Sequence, residues 1–314
     1  MIPRPLQNRS QTRHSPPRPE CSSAVPPLSS DRLGCSITSC TDTLGLSIHA
    51  FALLRDLIHE RTGIMFDDDK RDILADKLST RVIECGFSSF MDYYYLLKYD
   101  PAAKDEWPKV MDALAVPETY FWREVDQIRA LVDHVVPEHF KNSPSTTFKI
   151  WSAACCTGEE PLSILIMLNE SGWLERAPIQ VYASDASPAL VARAKTGSYR
   201  ERSLRALPPE LREKYFTKHG DLWQVSPDLL ARVKFATANL LDPEVENLAT
   251  AHAIFCRNVF IYFSPQAIRK VLNVFHARMS PPGYLFVGVS ESLLRFTDSF
   301  RLLELGDAFV YTKC

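Results

Sequence analysis

Three short stretches carry the residue types best suited to chemistry: "WSAACCTGEEPLS" at 151–163, "YASDAS" at 182–187 and "CRNVFIYF" at 256–263. Each contains or follows an apolar, strand-like run. In sheets of parallel strands, ligands bind beyond the carboxyl ends of the strands, near the point where strand order reverses. Asp185 follows Ser152 by 33 residues, at the end of the second such run. A carboxylate there can accept both hydroxyls of a ribose. It can equally cap the helix that opens at "SPALVARA", and spacing alone leaves both readings open.

The first stretch narrows the ligand. Turns that cradle a pyrophosphate use G-x-G-x-x-G, so that bare backbone approaches the phosphates. Here Gly158 stands alone, and Glu159 and Glu160 would repel an anion. The missing glycine pattern disfavours a dehydrogenase. The turn suits a phosphate-free cofactor with positive charge, and S-adenosylmethionine fits, with its adenosine, sulfonium and ammonium. Two solvated glutamates favoured by a helix dipole remain the competing reading. Cys155 and Cys156 poorly fit a tetrahedral zinc site, and no histidine lies near them in sequence. No metal site is expected, and the pair reads as small buried loop residues.

These stretches need elements to hold them. From about 147 onward, apolar runs alternate with helices. "FKIWSAA", "IQVYASD", "VKFATANLLD", "AHAIFCRNVFIYF", "GYLFVGVSES" and "AFVYTK" contain strands, and "PLSILIMLNESG" and "PALVARAKTG" read as helices. That alternation implies an α/β fold with a mostly parallel, doubly wound sheet. Residues 45–140 read as helical. "IHAFALLRDLIHERTGI" places Phe51, Leu54 and Ile58 on one face, and Gly63 ends the helix. "DDDKRDILADKLSTRVIECGF", "SFMDYYYLLKYD" and "EWPKVMDALAV" give three more helices, and "EVDQIRALVDHVVPEHF" one broken near Pro137.

Composition sets outer bounds. The chain has 314 residues, 46% hydrophobic and 24% charged, with a formal net charge of −2. One or two globular domains fit that length, and no global field favours nucleic acid or an anionic membrane. No apolar run is long enough to span a bilayer, and the start lacks a secretory h-region. The eight cysteines show no C-x-x-C spacing and read as reduced thiols of a cytoplasmic protein. Residues 1–44 hold seven of the 22 prolines and five arginines, and read as a disordered tail or an early start codon. A targeting peptide is the alternative, which the prolines disfavour.

Taken in order, "VPETYFWRE", "WSAACCTGEEPLSI", "YASDASPALVARAKTGSY", "NLLD", "CRNVFIYF" and "VGVSES" resemble the CheR-type chemotaxis-receptor methyltransferases, over about residues 45–314. The resemblance implies a Rossmann-like class I methyltransferase sheet domain at 145–314. It also implies an N-terminal all-α domain at 45–140 and a small inserted subdomain near 200–235. It implies methyl transfer from S-adenosyl-L-methionine to glutamates on cytoplasmic helices of methyl-accepting chemotaxis receptors, by a monomer that neither binds nucleic acid nor inserts into membrane. Thr119 and Arg123 fall at the family's active-site positions. Ala153 and Glu159 fall where the methionine part of the cofactor is held, Asp185 at the ribose-binding acid, and Asn239 and Leu240 beside the adenine. Asn258 lies in the loop that closes the cofactor site, and Tyr262 near the reacting methyl. Arg123, with its planar fork, and Tyr262 are the expected catalytic pair. The competing readings are a salt bridge from Arg123 to Glu124 or Asp126 and a core aromatic at Tyr262.

Departures from the family are Pro117 in place of a frequent Asn, Cys155 and Cys156 in place of Ala and Ser, and Lys77 in place of a frequent Arg. Lys70, Lys77 and Arg81 are spaced seven and four apart and would share one helix face. That face could dock acidic receptor helices or simply be solvated. Two other functions stay open: the same fold acting on another acceptor, and a non-catalytic cofactor-sensing module.

Overall fold

The structure, a computed structural model, describes residues 44–314. The tail expected over 1–44 lies outside the described residues but for its last position. Four helices come first: α1 (Ile48–Thr62), α2 (Arg71–Glu84), α3 (Phe90–Tyr99) and α4 (Ala103–Leu114). The Ser47 hydroxyl caps α1 by accepting the Ala50 amide at 3.1 Å, and Gly63, at φ 78°, ends it. The apolar stripes meet in a core that includes Leu54, Ile58, Leu74, Leu78 and Val110. Beside that core, Arg81 Nε and Nη2 each donate to Glu106 at 2.8 Å, and the Tyr93 hydroxyl donates to the same carboxylate at 2.8 Å.

The stretch "VPETYFWRE" forms no helix. It is an irregular loop in which Trp122 and Glu124 take left-handed backbone, φ 68° and 50°. After it, α5 (Val125–Ala130) runs through one π-helical turn, Leu131–Val135, into α6 (Val136–Asn142). The break expected at Pro137 does not occur. Pro137 comes just after the π-helical turn, and the helix continues through it along α6 although proline supplies no N–H there.

The rest alternates strand and helix. The strands are β1 (Phe148–Ala153), β2 (Ile179–Asp185), β3 (Ser198–Arg200), β4 (Phe216–His219), β5 (Leu222–Val225), β6 (Val233–Thr237), β7 (Ala253–Phe255), β8 (Tyr284–Phe286), β9 (Phe300–Leu305) and β10 (Ala308–Lys313). The helices are α7 (Glu159–Glu170), α8 (Trp173–Arg176), α9 (Pro188–Thr196), α10 (Pro209–Tyr215), α11 (Pro227–Leu230), α12 (Val245–Leu248) and α13 (Pro265–Arg278). A seven-stranded sheet runs β6-β2-β1-β7-β8-β10-β9. The first five are parallel, and β10 pairs antiparallel with both β8 and β9. This is a doubly wound α/β sheet, and its order reverses at β1, between β2 and β7. Neighbouring residues of β1 enter different cores, Ile150 on one face and Trp151 on the other, as strand alternation requires. A separate antiparallel sheet, β3-β5-β4, lies within 198–225.

Two strand expectations need correction. The run "AHAIFCRNVFIYF" holds only the three residues of β7, followed by a loop and a 3-10 turn, Phe260–Tyr262. The edge strand β9 was not expected from sequence at all.

Candidate functional site

The loops after β1, β2, β6 and β7 converge on one cavity of about 470 Å³, completed by 115–123 and by the α1–α2 connection. That volume lies in the range of small-molecule sites, about 300–1,000 Å³. Thr119, Arg123, Asp185, Asn239, Leu240, Asn258 and Tyr262, expected from separate parts of the sequence, all line it.

Their settings differ. The Asp185 carboxylate accepts the Cys156 amide at 2.9 Å and the Ser187 amide at 3.0 Å. It therefore fixes the turns after β1 and β2 from the cavity wall, but it does not cap α9: the cap is Ser187, whose hydroxyl accepts the Leu190 amide at 3.1 Å. Burial pushes its carboxyl above its ordinary value, and those backbone amides pull it back in part. Arg123 Nη1 donates to the Glu118 carbonyl at 2.8 Å, and Nε lies 3.8 Å from Glu124. Asn239 Nδ2 donates to the Arg61 carbonyl at 2.8 Å. Asn258 takes left-handed backbone, φ 58°, a conformation asparagine tolerates better than most residues.

Two expected cofactor residues do not reach the cavity. Ala153 is buried in the core as the last residue of β1. The wall is built instead by Ala154, Cys155 and Cys156, where the chain leaves the sheet. Glu159 is 2% exposed, and its carboxylate accepts the Thr157 hydroxyl at 2.6 Å. Burial raises its carboxyl above its ordinary value, and the Thr157 hydroxyl offsets part of that rise. Successive helical residues point about 100° apart, so one of two adjacent first-turn glutamates faces the core when the other faces the cavity. The cavity takes Glu160.

Lys70, Lys77 and Arg81 do not form one solvated face. Arg81 is committed to Glu106 and pairs with Glu84 besides. Lys77 Nζ turns toward the end of α4, 3.1 Å from the Leu114 carbonyl and 3.4 Å from those of Ala113 and Ala115, and burial lowers its pKa. Lys70 lines the cavity and pairs with Asp69 at 3.2 Å. A shared helical face did not mean a shared solvated face, because α4 packs against that side of α2.

Arg257 is a residue of the site that the sequence reading does not single out. Its side chain is 3% exposed, and Nε donates to Glu160 at 2.6 Å. Nη2 donates to the Arg123 carbonyl at 2.9 Å and Nη1 to the Glu124 carbonyl at 3.2 Å. Glu160 also accepts the Ser152 hydroxyl at 2.6 Å. One guanidinium thus ties together three cavity loops. The sequence signal was an arginine directly after the apolar run "AIFC", since a charge in such a setting needs partners.

The helical region supplies a second frame. The Met65 amide donates to the Tyr262 carbonyl at 2.9 Å, and the Ser264 amide to the Gly63 carbonyl at 3.2 Å. Asp112 on α4 accepts the Ser187 hydroxyl at 2.5 Å and the Ala189 amide at 3.0 Å, at the start of α9.

The turn after β1 is not built to cradle a pyrophosphate. A Cβ on Gly158 would lie 3.1 Å from the Ala194 Cβ and 3.2 Å from the Tyr199 hydroxyl, so this glycine serves close packing with α9 and β3. The Cys156 amide is already taken by Asp185. The acids Asp67, Glu118, Glu160 and Asp185 line the cavity, as do the bases Lys70, Lys77, Arg123 and Arg257. Burial raises the Cys156 thiol to about 12 and the Cys155 thiol well above its ordinary value, so neither is a nucleophile at neutral pH.

Comparison with known proteins agrees with this chemistry. Residues 117–309 match the CheR methyltransferase SAM-binding domain, and residues 49–115 the CheR methyltransferase all-alpha domain. Chemotaxis protein methyltransferase 2 of Vibrio cholerae is 34% identical over 267 residues, spanning 84% of this chain and 92% of the relative. The chemotaxis protein methyltransferase of Klebsiella aerogenes is 34% identical, over 86% of this chain and 92% of the relative. That of Escherichia coli is 33% identical, over 83% and 91%. The sheet is a class I methyltransferase sheet, and its cofactor is S-adenosyl-L-methionine. With both family domains matched in order and the lining residues gathered in one cavity, this chain belongs to the CheR methyltransferase family.

Proposed function

We propose that this chain methylates glutamate side chains on the cytoplasmic helices of chemotaxis receptors, giving glutamate methyl esters and S-adenosylhomocysteine. The observation that carries this reading is one cavity holding both the strand-end acid Asp185 and the pair Arg123 and Tyr262, in a chain of this family. The relatives are named as chemotaxis protein methyltransferases, which supports a receptor of that system as the acceptor.

Bound S-adenosyl-L-methionine supplies an electrophilic methyl group on a sulfonium. A glutamate carboxylate, with an ordinary pKa of about 4.3, is already ionised at neutral pH and needs no base. The task of the chain is therefore positioning, an effect that reaches roughly 7–11 kcal/mol in favourable model systems. Asp185 would hold the ribose hydroxyls and Asn239 and Leu240 would flank the base, while Glu160 on the cavity wall is held by Ser152 and Arg257. Arg123 orients the acceptor carboxylate through its fork. Tyr262, 39% exposed at the cavity wall, shields the approach from water while leaving room for a helix-borne side chain.

The test is transfer of label from methyl-tritiated cofactor to receptor-containing membranes, followed by alkali. Label released as methanol is the expected result, because esters hydrolyse readily. Alkali-stable label, or none on receptors while the cofactor binds, would replace the reading with a different acceptor.

A further inference from the structure

We infer that Glu291 is a positioning residue of the cofactor site: its carboxylate sets the backbone of the 258–262 turn that carries Asn258 and Tyr262 to the cavity. This rests on the proposed place of those two residues at the cofactor. Glu291 lies in the loop after β8 and is not part of the cavity lining. Its Oε2 accepts the Asn258 amide at 2.7 Å and the Gly288 amide at 2.7 Å. Its Oε1 accepts the Val259 amide at 2.9 Å and the Ile261 amide at 3.3 Å.

The turn needs such an acceptor. After β7 the chain leaves the sheet at Asn258 with left-handed backbone and enters a single 3-10 turn. Its leading amides have no strand partner and no preceding helical carbonyls, as at any helix start. A carboxylate that accepts from Asn258, Val259 and Ile261 replaces them and selects the conformation in which a non-glycine residue carries φ 58°. The packing is tight: a Cβ on Gly288 would lie 2.5 Å from Asn258 Nδ2 and 2.9 Å from Glu291 Oε2. The glycine, the acid and the turn therefore fit only as a set. Every hydrogen bond Glu291 accepts within the described residues comes from a backbone amide, and three of those amides belong to the turn.

The experiment is calorimetric titration of S-adenosyl-L-methionine into the wild type, E291Q and Leu168→Ala. Glutamine keeps the shape but turns an amide nitrogen, a donor, toward two backbone donors. We expect at least a tenfold rise in Kd for E291Q at a temperature well below its Tm. Leu168→Ala, a core truncation toward the far end of α7, controls for general destabilisation and should leave Kd unchanged. A Kd for E291Q within twofold of wild type overturns the assignment, as does an equal rise in Leu168→Ala at matched Tm. If E291Q does not fold, Glu291→Asp carries the test. Its carboxylate is one methylene short, so Kd should rise at least threefold, and no change overturns the assignment. Cofactor affinity does not depend on the acceptor, so failed receptor methylation and an unaltered Kd report separately on the proposed reaction and on Glu291.

Discussion

Replacing Arg257 by methionine should destabilise the protein and loosen the cofactor site together. The side chain is 3% exposed, and its main partner, Glu160, is 12% exposed. Removing one partner of a buried ion pair costs about 3–5 kcal/mol, because the other charge is stranded away from water. Glu160 keeps the Ser152 hydroxyl at 2.6 Å, which offsets part of the loss and places the expected value near the low end, about 3 kcal/mol. Arg257→Lys keeps the charge but cannot serve Glu160 and the carbonyls of Arg123 and Glu124 at once. It should lose one or two hydrogen bonds, about 1–2 kcal/mol. Urea unfolding gives both values, and cofactor titration gives the functional effect. Adding Glu160→Gln to Arg257→Met should recover much of the stability, since Glu160 is then no longer a stranded charge and Glu124, 3.7 Å from the Arg257 guanidinium, keeps Arg123 at 3.8 Å. The reasoning fails if Arg257→Met lies within about 1 kcal/mol of wild type, or if the second change makes matters worse.

Three further outcomes are expected. Asp185→Ala removes the acceptor of the Cys156 and Ser187 amides as well as the strand-end carboxylate, so Kd for S-adenosyl-L-methionine should rise more than tenfold, over about 1.4 kcal/mol, by calorimetry. Arg81→Glu should unfold the helical region, because it sets a carboxylate against buried Glu106; loss of α-helical circular dichroism on mild heating is the readout, and a fully stable variant with weaker receptor binding would restore the docking role. Glu159→Gln should flatten the stability–pH curve. Burial raises the folded-state carboxyl above its ordinary value, so ionising it costs stability as pH rises from that value through the raised one. Tm of the wild type should fall relative to the variant across that window, and a parallel pair of curves would contradict the burial assigned to Glu159.

Much of the sheet was legible because apolar runs such as "FKIWSAA" and "IQVYASD" are bounded by polar turns and match β1 and β2 closely. Strand β9 was not legible. It is a sheet-edge strand, and along "FRLLEL" only Phe300 is fully buried, so no inward face announces itself. The stretch "CRNVFIYF" looked like more strand because its residues are apolar, yet Val259, Phe260 and Phe263 pack as a turn into the second core. At the site, Asn258 and Tyr262 were singled out only by the resemblance to the family, whereas Asp185 was legible from its place after a strand. The choice between Glu159 and Glu160 was not, because it depends on the phase at which α7 begins, one residue or 100° of rotation. The orientations of Lys77 and Arg81 were hidden for a different reason. Both lie on α2 at helical spacing, and only the position of α4 decides that their charged ends are enclosed.

The two halves of the chain meet where the chemistry needs rigidity. Tyr262 stands on a short turn, and a turn of three residues cannot hold a side chain by its own hydrogen bonds. Backbone bonds from Met65 and to Gly63 clamp it from the helical side, and Glu291 clamps it from the sheet side. Asp185 is held in a parallel way: its oxygens fix the turn after β1, while Asp112 of α4 grips the Ser187 hydroxyl at the head of α9. Arg257 joins the third loop, bearing Arg123, to both. A helical domain whose only task was to reach a partner would need none of these bonds. Their placement, on the residues beside Asp185 and Tyr262, makes the helical domain part of the wall of the cavity.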